Sequence, residues 1–279
     1  MSLRSKINGL YQLCQVFMLQ HRISLRALRL LPTNINGFNY SQNWVPAVPV
    51  SEPSPAQKSL TDMENTNPLK AFFDSRDTGR GIWKWAHYFE IYHRHFKKFI
   101  GKKVNLLEIG VYSGGSMEMW RDYFGPNCQI FGVDIQESCR VYDNDYTHIF
   151  IGDQSDRTFL KRLKKEVPGI DIVIDDGSHM AAHQIVTLEE MLPHLKPGGV
   201  YVCEDLSGDF NGGFASYTFG LVETLNMWSG PVETGITPNQ FQTWIKSISC
   251  YPYAIVIEKS ETPVRQFIAS RHGTEWQPY

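Results

Sequence analysis

Two short runs of acid and histidine carry the strongest chemical signal in this chain of 279 residues. The first is D-D-G-S-H at Asp175–His179, and the second is the pair Glu204 and Asp205. Each follows an apolar run that reads as a buried strand, at 170–175 and at 199–203. Adjoining strands would bring their carboxyl ends within one strand spacing, about 5 Å. That gathers Asp176, Glu204 and Asp205 around one point. Three carboxylates so close raise one another's pKa unless a cation sits among them. An all-oxygen set selects a hard, octahedral ion, so Mg2+ is expected, with Mn2+ or Ca2+ as alternatives. The competing reading makes one or two of these acids helix N-caps facing solvent.

A second signal is V-N-L-L-E-I-G-V-Y-S-G-G-S at 104–116, with Glu108, Gly110 and Gly114 spaced as Glu-x-Gly-x-x-x-Gly. It reads as a strand, a glycine turn and a helix, in which the turn's backbone can approach a ligand closely. The spacing differs from the nicotinamide-binding Gly-x-Gly-x-x-Gly and from the phosphate loop. A bare strand-to-helix connection would look similar. Asp134 ends the next strand, 26 residues after Glu108, where an acid can accept from both hydroxyls of a ribose or cap the following helix.

The elements that must position these groups alternate as in a parallel sheet. Strands are predicted at 104–109, 129–134, 147–151, 170–175, 199–203 and 253–258, with 265–269 as a last partner. Helices are predicted at 116–123, 156–166, 181–194 and 214–228. The expectation is an α/β fold: a Rossmann-like, doubly wound, mostly parallel seven-stranded sheet. Ligands bind beyond the carboxyl ends of such strands. The segment 69–101 reads as helical and aromatic, with Tyr88, Tyr92, His95 and Phe96 on a core-facing side. Its histidines at 87, 93 and 95 read as satisfied or exposed, and Lys84, His87 or Tyr88 as lining for a substrate mouth.

Composition narrows the classes. Hydrophobic residues make up 42% and aromatics 13% of the chain, enough for a sizeable core. The net charge of −2 divides into +5 over residues 1–50 and −7 beyond them. An acidic body argues against a nucleic-acid backbone as partner. The five cysteines are scattered without a Cys-x-x-Cys pair, so a reducing, cytoplasmic setting is expected. Residues 1–31 are basic and acid-free, and no apolar run reaches the ~18 residues of a membrane span. That segment suits an organellar transit peptide, a secretory signal or a helix packed on the body or on a second copy of the chain. Residues 32–68, with six of the fifteen prolines, read as an arm or linker. The domains expected are therefore 1–68 and 69–279.

From about residue 70 onward, the glycine turn and the strand-end acids resemble the class I methyltransferases that bind S-adenosylmethionine. The resemblance implies that Glu108, Gly110, Gly114 and Asp134 hold that cofactor and that Asp153 and Gln154 meet its adenine, although Asp153 and its neighbours also suit a helix start. Asp176, His179 and the Glu204-Asp205 pair resemble, more narrowly, the metal-dependent macrolide and rhamnosyl sugar O-methyltransferases. Carried over, this makes Asp176, Glu204 and Asp205 the metal ligands, His179 the general base, and Asp175 a contact to the methionyl amine or ribose side. The long N-terminal domain of the macrolide enzymes has no counterpart in the resemblance, which leaves acceptor and oligomeric form open. The implied reaction is Mg-dependent methylation of a hydroxyl on a sugar-like or polyhydroxylated small molecule. A catechol or phenolic acceptor, or a scaffold that binds the cofactor without turnover, are the alternatives. Neither nicotinamide chemistry nor an iron oxygenase fits, because the glycine spacing is wrong and no two-histidine, one-carboxylate set can be placed.

Overall fold

Short apolar runs flanked by turn residues form the seven strands of one sheet. They are β1 (Val104–Ile109), β2 (Cys128–Asp134), β3 (Thr147–Ile151), β4 (Ile170–Asp175), β5 (Leu195–Cys203), β6 (Ile245–Tyr251) and β7 (Ala254–Lys259). Their order is β3-β2-β1-β4-β5-β7-β6, in which β1 to β5 pair in parallel and β7 runs antiparallel to both β5 and β6. The structure, a computed structural model, describes residues 36, 39–41, 67–206, 213–227 and 235–274. The chain divides into two units, Met1–Glu64 and Asn65–Tyr279. In the first, Asn36 and residues 39–41 are helical and exposed, while segment 1–31 lies outside the described residues. The second unit carries the sheet.

Among the described residues that unit carries seven α-helices: α1 (Pro68–Asp74), α2 (Tyr88–Phe96), α3 (Gly115–Phe124), α4 (Arg157–Glu166), α5 (Ala181–Met191), α6 (Gly213–Leu225) and α7 (Gln240–Trp244). Every residue of β1 is buried, as expected for a central parallel strand covered on both faces. Alternation sorts the core into two halves. Leu106, Ile130, Ile172, Val200 and Val202 pack with Tyr92, Phe96, Trp120 and Phe124 of α2 and α3. Leu107, Val133, Val173 and Tyr201 pack on the other face with Leu160, Leu163, Leu188 and Met191 of α4 and α5. This period of two decides which way each strand-end acid points.

Two sequence expectations give way. The segment 69–101 is not one helix: α1 and α2 are separated by residues 75–87, without regular structure apart from turns and bends. Gly79 adopts φ +96°, and the carbonyl of Gly81 packs so tightly on Gly115 at the start of α3 that a side chain there would overlap it. Residues 81–86 thereby cross the carboxyl end of the sheet. The last strand is not 265–269 but β6, which forms a hairpin with β7 across a two-residue turn at Pro252 and Tyr253. The segment 265–269 contributes one bridge, Phe267 with Ile236. A strand beside β7 is chosen by the short hairpin connection over the longer return.

The hairpin also anchors α2. His95 Nδ1 lies 2.6 Å from Glu258 Oε1, and its Nε2 lies 2.8 Å from the Tyr251 hydroxyl. The hydrogen bond to His95, with Lys98 alongside, pulls the Glu258 carboxyl down to about 2. A depressed carboxyl stabilises the fold above its unfolded value and loses that contribution as pH falls through the folded one. Glu258→Gln should therefore melt lower than the parent at pH 6, with the gap closing between pH ~4.5 and ~2. A gap that stays constant across that range in thermal melts would refute this assignment.

Candidate active site

The order of strands reverses between β1 and β4, the place where open α/β sheets bind ligands. A cavity of about 660 Å³ opens there, lined by residues 81–86, by Gly110, Tyr112 and Asp134, and by Asp176, His179 and Asp205. A smaller one of about 210 Å³ shares Gly110, Asp134 and Gly177 with it and continues to Asp153, Gln154 and His183.

Gly110 turns the chain out of β1 at φ +95°, and a Cβ there would overlap the Asp176 carbonyl. Only glycine lets β1 and β4 end so close together. Asp134 is fixed by backbone donors: Oδ2 accepts from Val111 and Tyr112 at 3.0 Å each, and Oδ1 from Gln136 at 2.8 Å. It faces both cavities and ties the glycine turn to the end of β2. Gly114, at φ +71°, lies against the Tyr142 ring and outside the cavity lining.

The adjacent Asp175 and Asp176 point to opposite faces. Asp175 is buried on the α4–α5 side, accepting from Gln154 Nε2 at 2.9 Å and from the Tyr201 hydroxyl at 3.2 Å. Burial pushes its carboxyl up to about 6. Gln154 spends its other end on the Ser178 amide at 2.6 Å. Both residues are thus committed to each other and to the loop after β4. Asp153 is exposed on the smaller cavity, and the Ser155 backbone N–H it accepts from lowers its carboxyl's pKa.

On the α2–α3 face the acids surround Lys84. Its ammonium donates to Asp176 Oδ2 at 2.5 Å and to Glu204 Oε2 at 2.8 Å, and lies 3.8 Å from Glu108 Oε1. Burial alone would lower the ammonium's pKa, but Glu204, Asp176 and Glu108 outweigh it and hold it well above its usual range. Glu204 is buried, its Oε1 accepting from the Tyr92 hydroxyl at 2.6 Å. Burial pushes Glu204 up to about 8 and Glu108 up to about 7, with Lys84 opposing both shifts. Glu108 Oε2 accepts from Trp120 Nε1 at 2.8 Å, so this acid lies beneath the cavity and not on its wall. Asp205 faces the cavity, held through Oδ1 by Trp85 Nε1 at 3.0 Å and the Tyr88 hydroxyl at 2.8 Å.

The expected triad of Asp176, Glu204 and Asp205 is thus divided. Among the described residues, the group able to hold a metal is Asp176, His179 and Asp205, one ligand atom of each lying within 4.8 Å of the others. His179 Nε2 stands 3.9 Å from Asp205 Oδ2, beyond hydrogen-bond reach and with its ring open to the cavity. The two carboxylates fit a divalent ion, with Glu204 directly behind them, and a ring nitrogen of His179 that is not spent on the ion is placed to act as a base beside it.

Sequence reading missed Tyr92 as a site residue, along with Trp85 and the 252–253 turn. The turn's carbonyls accept from the Tyr88 hydroxyl at 3.0 Å and lie 2.9 Å from His87 Nε2. The Tyr253 ring packs on Trp85 with centroids 5.2 Å apart. A signal existed in the crowding of aromatics at 83–96, whose exposed members, Trp83 and Trp85, are the ones on the cavity. By sequence, Gly208 and Gly212 suggest mobile loops that shape the acceptor pocket, and Trp228 would suit a flat substrate; all three lie outside the described residues.

Sheet order, glycine turn and the cavity at the reversal point are those of an open α/β ligand-binding fold, and residues 107–206 match the family described as a methyltransferase domain. Within that class its relatives are the macrolide and rhamnosyl sugar O-methyltransferases. Mycinamicin VI 2''-O-methyltransferase of Micromonospora griseorubida is 42% identical over 122 residues, 41% of this chain and 30% of that protein. Demethylmacrocin O-methyltransferase of Streptomyces fradiae is 32% identical over 198 residues, 63% of this chain and 50% of that protein. The chain thus spans no more than about half the length of the curated relatives it matches. Among solved structures, the MycE methyltransferase of the mycinamycin biosynthetic pathway, in complex with Mg, SAH and mycinamycin VI, superposes with a TM-score of 0.57. It is 29% identical, covering 70% of this chain and 53% of that one.

Proposed function

We propose that this protein is an S-adenosylmethionine-dependent, Mg-dependent O-methyltransferase acting on a hydroxyl of a sugar-like or polyhydroxylated small molecule. The observation that carries this reading is the convergence of Asp176, His179 and Asp205 on a cavity shared with Gly110 and Asp134. Relatives that methylate sugar hydroxyls support it, as does a solved relative holding Mg and SAH. When bound, the sulfonium supplies an electrophilic methyl group, and a divalent ion supplies the positive charge that acidifies a hydroxyl.

The chain's own residues do the positioning. Gly110 gives the cofactor backbone access, and Asp134 keeps lone-pair capacity for ribose hydroxyls beyond its three backbone bonds. Asp176 and Asp205 would hold the ion, with Glu204 as the third acid. His179 takes the acceptor's hydroxyl proton at Nε2, a task suited to imidazole near neutral pH. Trp83 and Trp85 wall the acceptor side and limit water. Among the described residues no helix is long and apolar enough to cross a membrane. The four cysteines among them are unpaired.

Chelation provides the test. EDTA-treated protein should lose methyl transfer to sugar hydroxyls and regain it with Mg2+. Transfer indifferent to EDTA would remove the metal role. A panel that labels catechols in preference to sugars would move the acceptor class, and cofactor binding without any transfer would leave a scaffold.

A further inference from the structure

A buried lysine stands where the acids call for a metal. The Lys84 side chain is 3% exposed, and its one ammonium faces Glu108, Asp176 and Glu204. Glu108 Oε1 is buried and accepts no hydrogen bond, so the charge of this floor is incompletely answered. Both Glu204 oxygens are committed, one to Tyr92 and one to Lys84. Glu204 is fully buried and lies outside the cavity lining, to which Lys84 belongs, so the acid meets an ion in the cavity only once the lysine moves aside.

We infer that Lys84 is an exchangeable internal cation, holding Asp176 and Glu204 in the metal-free protein and giving way when a divalent ion recruits Glu204. This rests on the divalent-ion reading of the site given above. A divalent ion brings twice the charge of the ammonium to the same carboxylates. The lysine has a way out: it lines the cavity, and its flexible four-carbon stem can carry the head group to water. It also lies on the irregular segment 81–86, between Trp83 and Trp85, which both wall the cavity. Moving Lys84 reshapes that wall, so ion loading precedes and prepares the acceptor pocket.

The experiment uses the whole chain and Mn2+ as probe. In the wild type, Lys84 should resist acetylation by acetic anhydride without metal and become labelled, by mass spectrometry, as Mn2+ saturates. The exposed Lys102 serves as a control labelled throughout. Lys84→Met should bind Mn2+ at least about tenfold more tightly, read from the spin-resonance signal of free Mn2+; the loss of one repelling charge sets that scale. Binding by the variant alone would overturn the exchange, because the lysine would then exclude the ion instead of yielding to it. Mn2+ bound by the wild type with Lys84 still protected overturns the exchange and leaves the metal site standing. If neither protein binds Mn2+, both readings fail. Should the variant not fold, labelling of the wild type decides.

Discussion

Replacing His179 with asparagine should lower methyl transfer by ~10²–10⁴-fold, the usual contribution of a positioned general base, while S-adenosylmethionine binding is unchanged. Asparagine is the better probe than alanine because His179 holds φ 56°, a left-handed conformation that asparagine tolerates. The imidazole makes no hydrogen bond that fixes the fold: its nearest charged neighbour, Asp205, is 3.9 Å away. Loss of turnover with cofactor affinity kept, by calorimetry, would separate proton removal from binding. The limb of the pH–rate profile that reports the base should vanish as well. Near-normal turnover would transfer the role to another group.

The largest structural effect is expected at Gly110. Alanine there meets two costs at once: backbone strain at φ +95° and overlap with the carbonyl of Asp176. Backbone cannot swing aside as a side chain can, so the ends of β1 and β4 must part. We expect a loss on the order of 3–5 kcal/mol and a disturbed Asp176. Gly101→Ala is the matched control. Its φ is +73° and nothing lies within 4 Å of the new carbon, so only strain remains, about 1 kcal/mol. Equal denaturant midpoints for the two variants would show that the close approach contributes nothing.

The parallel core was legible because its strands are short apolar runs ending in acids, and alternation then dictates direction. Asp175 and Asp176 had to face opposite ways, and so did Cys203 and Glu204. Asp175 and Gln154, which the sequence suggested for a ligand, satisfy one another as buried polar groups do, while Gln154 also lines the smaller cavity. β6 was harder. I-K-S-I-S-C-Y mixes polar residues into an edge strand with only partial burial, which weakens the pattern that marks the inner strands. Lys84 could be suspected at the mouth but not beneath it. Its place depends on a turn near Gly79 and on three acids distant in sequence, and long-range convergence leaves no periodic trace.

Four residues other than glycine adopt left-handed backbone among the described positions: Tyr112, His179, Asp205 and Tyr253. The first three line the large cavity, and the fourth leans on Trp85 at its edge. Each such conformation costs on the order of 1–3 kcal/mol. Selection of this protein for heat tolerance alone should therefore converge on glycine at these four sites. The hardiest survivors of such a screen would be poor catalysts, and the map of their substitutions would trace the rim of the reaction chamber without any substrate having been supplied.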